Sequence, residues 1–114
     1  MPYINVNLKQ SISDAQKYEI MKGFGQTIQL IPGKKEHGLM VQVKDGCSLY
    51  FRGKEMDKIA YVYVSAYKQA SLEHNTLFVE ASNTLLSEIL DMPVENIYFN
   101  ITEREFWGTD GSII

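Results

Sequence analysis

One pattern occurs twice along the chain, and it restricts the architecture more than any single residue does. In the first copy Ile4, Val6 and Leu8 alternate with Tyr3, Asn5 and Asn7, and a period of two puts the apolar set on one side of a strand. Ser13 followed three residues later by Gln16 is a reciprocal helix cap. Tyr18, Met21, Phe24, Ile28 and Ile31 then recur at steps of three and four, which predicts the buried face of a helix, until Pro32-Gly33 stops it. Leu39, Val41 and Val43 alternate again as a second strand, and Asp45-Gly46 marks a turn. Ser48 to Arg52 reads as a short return strand.

In the second copy Ile59 to Lys68 is a strand, Ser71 caps a helix and Asp91-Met92-Pro93 closes it. Its apolar face is read as Leu77 or Phe78, Ala81, Leu85 and Ile89. Ile97, Phe99 and Ile101 against Tyr98, Asn100 and Thr102 supply a last strand. The order is β-α-β-(β)-β-α-β, with pseudo-repeats over about residues 2–44 and 58–103 of a single domain spanning 1–114. Right-handed crossovers related by a pseudo-twofold axis put both helices on the same face, so the fold class is α+β, with one mainly four-stranded mixed sheet and two helices on one side of it. The other sheet face, carrying Tyr61, Tyr63 and Tyr67, is too apolar to be left to water, and other subunits are expected to cover it.

Charge narrows the partners. With 11 Lys+Arg against 14 Asp+Glu the net charge is −3, whereas a binder driven by phosphate neutralisation is usually basic; no nucleic-acid partner is expected. No run of about eighteen uncharged apolar residues occurs, so no membrane association is expected. The amino terminus lacks a basic region followed by an apolar one, and a cytoplasmic location is the expectation. Cys47 is the one cysteine, which excludes an intrachain disulfide and a Cys-rich zinc site. His37 and His74 have no partner at ligand spacing and read as solvated polar residues, so no metal site is expected. Gly23 and Gly25 inside the first helix cost roughly 1 kcal/mol each relative to Ala, and close packing is their simplest explanation.

The residue with most chemical potential is Pro2. Methionine before a small residue is ordinarily removed, which leaves Pro2 with a free secondary amine at the start of a strand. An α-amino group titrates at about 7.7 to 8.0, and both desolvation and a nearby cation push that value down toward a neutral base. Pro2 before Tyr-Ile-Asn-Val-Asn, the duplicated βαβ plan, Pro32-Gly33-Lys34, Asn96-Ile97-Tyr98-Phe99-Asn100 and Phe106-Trp107-Gly108 together resemble the tautomerase superfamily, in its branch of macrophage migration inhibitory factor and relatives. The resemblance covers essentially the whole chain.

That resemblance implies a homotrimer and a cofactor-independent keto-enol isomerase acting on enolisable 2-oxo acids such as phenylpyruvate, a small-molecule substrate. Pro2 looks like the catalytic base. Lys34, or the adjacent Lys35, would hold the substrate carboxylate and depress the Pro2 pKa. Tyr98 and Asn100, two apart on a strand, would line the pocket of a neighbouring subunit. Ala66 stands where the family carries a branched aliphatic whose backbone contacts substrate, and Trp107 with Phe106 would lie at the mouth or in the subunit contact. The segment Ser65-Ala66-Tyr67-Lys68-Gln69 lacks the arginine pair used by dehalogenating and decarboxylating relatives, and Lys58 and Tyr61 replace the thiol pair of the animal cytokines. The alternative is a non-catalytic trimer that binds partners or small molecules.

Overall fold

Alternation in the first residues becomes the central strand β1, Pro2–Leu8, in which every second side chain is buried. The computed structural model describes residues 1–114. After β1 come helix α1 (Asp14–Thr27), strand β2 (Met40–Lys44), strand β3 (Ala60–Tyr67), helix α2 (Leu72–Leu90) and strand β4 (Ile97–Arg104). Two short strands, β5 (Gly108–Thr109) and β6 (Ser112–Ile113), form a carboxy-terminal hairpin that the sequence pattern did not predict.

The sheet order is β2-β1-β3-β4. β2 runs parallel to β1, β3 antiparallel to it, and β4 parallel to β3. Each parallel pair is joined by one helix, so the duplicated βαβ plan and the four-stranded mixed sheet stand as expected. Both caps do as well: Ser13 Oγ accepts from the Gln16 amide at 3.1 Å while Gln16 Oε1 accepts from the Ser13 amide at 3.1 Å, and Ser71 Oγ accepts from the His74 amide at 3.1 Å.

The helix stripes differ from the expected ones by rotation. In α1 the buried row is Ile20, Phe24 and Ile28, while Tyr18 is 62% exposed and Met21 is 36% exposed. A pure step of four selects that row, and the last turn tightens into a 3-10 helix over Ile28–Leu30, which carries Ile31 inward as well. In α2 the buried row is Phe78, Ser82, Leu86 and Leu90, and Ala81, Leu85 and Ile89 flank it half-buried. A polar residue at the centre concealed this row. The Ser82 hydroxyl is satisfied by donating to Thr27 Oγ1 at 3.0 Å, so the core accepts it.

The helices meet closely at Gly23, where a Cβ would collide with the Leu85 side chain; close packing explains this glycine. Phe24 and Phe78 lie with ring centroids 6.4 Å apart, and Phe99 approaches Phe78 edge-on at 6.3 Å, tying both helices to β4. The expected return strand at Ser48 to Arg52 is instead a loop with one bridge between Phe51 and Lys54. Arg52 at φ 56° and Gly53 at φ 73° are left-handed there, which breaks the extended run. No helix is long and apolar enough to cross a membrane.

Candidate functional site

Four chain segments converge where β1 begins. Pro2 pairs across the sheet with Ala66, and Ala66 with Glu103. The ladder continues one residue further, because the Tyr67 amide donates to the Met1 carbonyl at 3.2 Å. Beyond α1, Gly33 takes φ 83°, a conformation that favours glycine, and the Lys34 amide closes the turn on the Ile31 carbonyl at 3.1 Å. That turn lays the Lys34 side chain over the end of β3, where Nζ donates to the Tyr67 carbonyl at 3.0 Å.

On leaving β3, Lys68 adopts φ 67° and its amide donates to the Arg104 carbonyl at 3.0 Å. The Ala70 amide then donates to Glu103 Oε2 at 2.6 Å, which fixes the approach to α2. A cavity of about 520 Å³ opens among these pieces, its walls including Met1, Pro32, Lys34, Tyr67, Ser71 and His74. His74 Nδ1 is 2.8 Å from the Ser71 hydroxyl, so this half-buried ring is part of the cavity wall and not a free surface group.

Electrostatics in the cavity favour an anion. Burial holds the Lys34 ammonium below its ordinary pKa, and the Glu103 carboxylate partly restores it. The Met1 amine is lowered too, first by burial and then by repulsion from Lys34. Two nitrogen groups that could each carry charge thus share one partly desolvated corner, beside the amino-terminal end of α2. A carboxylate seated between them offsets both penalties.

The residues singled out from sequence separate into two groups. Lys34 lines the cavity, whereas Lys35 is exposed and does not. Ala66 is 4% exposed beside Pro2 on the helix side of the sheet. Pro2 is fully buried, and with Met1 present its nitrogen is a peptide amide and Met1 forms the wall in its place. Tyr98 and Asn100 project from the opposite sheet face, and Tyr98 stands five residues along β4 from Glu103, about 17 Å at strand rise. Tyr98 meets Phe51 edge-on at 4.8 Å, and Asn100 Nδ2 donates to the Tyr61 hydroxyl at 3.2 Å. One chain therefore does not bring them to Pro2. Trp107 is half-buried beyond β4, its carbonyl accepting from the Ile114 amide at 3.0 Å, and it lies outside the cavity wall; Phe106 is 73% exposed.

His74 in the cavity wall, and Glu103, which acts on the Lys34 charge and fixes Ala70 beside the cavity, are the residues that sequence reasoning passed over. Glu103 had a legible signal: it continues the inward row Ile97, Phe99, Ile101, and a carboxylate in an apolar phase needs a partner. His74 had none, because its neighbours in space are distant in sequence.

No protein-family model matches the chain, and no curated protein does at a significant level. Solved structures do. The MIF2 protein of Leishmania major superposes with a TM-score of 0.92 at 19% identity, over 100% of this chain and 97% of that one. The macrophage migration inhibitory factor-like protein of Entamoeba histolytica gives 0.82 at 22% identity, over 99% and 98%. The homologue from Prochlorococcus marinus gives 0.84 at 19%, over 97% of each. The chain thus has the fold of the macrophage migration inhibitory factor branch of the tautomerase superfamily, as its sequence resemblance implied.

Proposed function

We propose that the chain is a cofactor-independent tautomerase of enolisable 2-oxo acids such as phenylpyruvate, with the Pro2 nitrogen, freed by removal of Met1, as general base. The observation that carries this reading is the juxtaposition of the chain start with the Lys34 ammonium in one partly desolvated cavity. Lys34 binds the substrate carboxylate and fixes its orientation, which shortens the search for a reactive geometry. The Pro2 nitrogen accepts the proton from the carbon beside the carbonyl and returns one to the other end of the enolate system. Lys34 also opposes the charge that develops on the enolate.

Tyr98 and Asn100 join the cavity from an adjoining protomer in a homotrimer, where they supply hydrogen bonds to the substrate. Ala66 offers its backbone beside Pro2, and Trp107 serves the mouth or the subunit contact. Two features of the open sheet face support such an assembly. Tyr61, Tyr63 and Tyr67 line it with no helix above them, and Asn5 on the same face holds a buried Oδ1 with no hydrogen-bond partner.

Phenylpyruvate enolisation by the trimmed chain, its Pro2→Ala and its Lys34→Ala forms tests the proposal, with intact mass proving removal of Met1. Each substitution should lower kcat/KM by about 10²-fold or more. An inactive trimmed wild type would favour the second reading, a binding trimer without catalysis.

A further inference from the structure

We propose that His74 is a specificity residue of the Lys34 cavity, selecting 2-oxo acids that carry a second carboxylate at the end remote from the one Lys34 holds. The inference rests on that cavity being a 2-oxo acid site, and it deepens that reading by naming which 2-oxo acids are preferred. It does not depend on Pro2 acting as the base.

The make-up of the wall points to more than one negative group. Lys34, Lys68 and His74 all line the cavity, and no carboxylate does. All three stay when Met1 is removed, because they come from the turn after α1, the exit of β3 and the first turn of α2. Their charges are not neutralised nearby. Lys34 Nζ donates to the Tyr67 carbonyl at 3.0 Å, while Lys68 Nζ stands over the Tyr67 ring, 5.4 Å from its centroid. The ion pairs of the chain lie elsewhere, joining Lys17 with Asp45, Lys22 with Glu36 and Lys58 with Asp91. Lys68 also borders a neighbouring cavity with Glu103 and Glu105, but it pairs with neither, and Glu103 Oε2 is committed to the Ala70 amide at 2.6 Å. A single substrate carboxylate leaves such a wall with surplus positive charge.

Hydrogen bonding around its ring singles out His74. The Ser71 hydroxyl oxygen accepts from the His74 backbone amide at 3.1 Å, which leaves the hydroxyl proton free for Nδ1 at 2.8 Å. A neutral ring that accepts at Nδ1 carries its own proton on Nε2. A charged ring carries one there too, so Nε2 is a donor in both states. Nothing in the chain accepts that proton, and the cap fixes the half-buried ring in the cavity wall. A donor held in this way is satisfied by a carboxylate oxygen and gains nothing from a methyl group in the same place. Lys34 takes the carboxylate next to the carbonyl, His74 takes the remote one, and Lys68 adds positive charge to the same wall.

The test uses the trimmed chain, with loss of Met1 proved by intact mass. It compares 2-oxoglutarate with 2-oxopentanoate, which has the same carbon chain and a methyl in place of the second carboxylate. Calorimetry should give a Kd for 2-oxoglutarate lower by about ten-fold or more, and that advantage should disappear for its 5-methyl ester. In His74→Leu, which keeps side-chain bulk, the ratio of the two Kd values should fall toward one; a merely structural role would weaken both acids together and leave the ratio alone. A wild-type ratio near one, an advantage kept by the ester, an unchanged ratio in His74→Leu, or binding of neither acid would each overturn the inference. The ester comparison needs no variant, so it decides the matter even where His74→Leu does not fold. Deuterium exchange at C3 of both acids, followed by proton NMR, reads the base separately: a binding preference without exchange sinks only the Pro2 base, and exchange of both acids without a preference sinks only the His74 subsite.

Discussion

Lys34 and Glu103 set the charge of the cavity between them. Glu103 partly restores a Lys34 pKa that burial lowers, so Glu103→Gln, whose amide oxygen can still accept from Ala70, should let that pKa fall further. The ammonium is then lost at lower pH, and KM for phenylpyruvate should start its alkaline rise earlier in Glu103→Gln than in wild type, with kcat less affected. A pH profile of KM that stays superimposable would show that Glu103 only holds the turn. Asp45 gives a stability counterpart away from the site. The Ile12 amide at 2.9 Å, and after it Lys17 at 3.1 Å, hold its carboxyl below the ordinary carboxylate range. A folded pKa below the unfolded one contributes stability above the unfolded pKa, and that contribution disappears as pH falls through the folded value. Asp45→Asn should therefore be less stable than wild type at neutral pH, and the gap in denaturant midpoint should close in acid. At this scale Pro2 stood out in the sequence because a proline after the initiator methionine can present a secondary amine, and Lys34 or Lys35 was offered by the family resemblance, whereas His74 enters only by contact with residues of other segments.

Each element's type and ends follow from local chemistry, while its rotation follows from what it packs against. Ser13 with Gln16, and Ser71, start the helices because each side chain satisfies an amide that would otherwise be orphaned. Which stripe turns inward was decided by the sheet and the partner helix, since Ser82 found Thr27 and Gly23 gave room to Leu85. Gly23→Val should destabilise the fold by about 1–3 kcal/mol in chemical denaturation, because the added atoms force α1 and α2 apart even though valine suits a helix no worse than glycine does. Phe78 is 0% exposed and touches the rings of both Phe24 and Phe99, so Phe78→Ala should cost about 3–5 kcal/mol, a large share of a small domain's stability. Tyr18→Ala, on the stripe that periodicity favoured and the fold left exposed, should cost much less in the same experiment.

For the whole molecule the decisive feature is that the two halves of the proposed site lie on opposite sheet faces and near opposite ends of β4. A homotrimer would unite them across protomers, and sedimentation should then give a particle of three times 13.0 kDa. Specific activity should fall on dilution through the range in which that particle dissociates; activity independent of concentration down to a monomer would mean that Tyr98 and Asn100 take no part. The sequence alone determined the β-α-β order, the caps and the mixed sheet, because alternation, capping and turn chemistry depend on residues within about four positions of one another, while Pro2 and Lys34 or Lys35 entered as site candidates through the family resemblance. Only the tertiary structure decided which helix faces are buried, that His74 lines the Lys34 cavity while Glu103 acts on the Lys34 charge, and that Tyr98 and Asn100 do not reach it. Those outcomes come from contacts between residues far apart in the chain, and packing in three dimensions sets them with little trace in any local period.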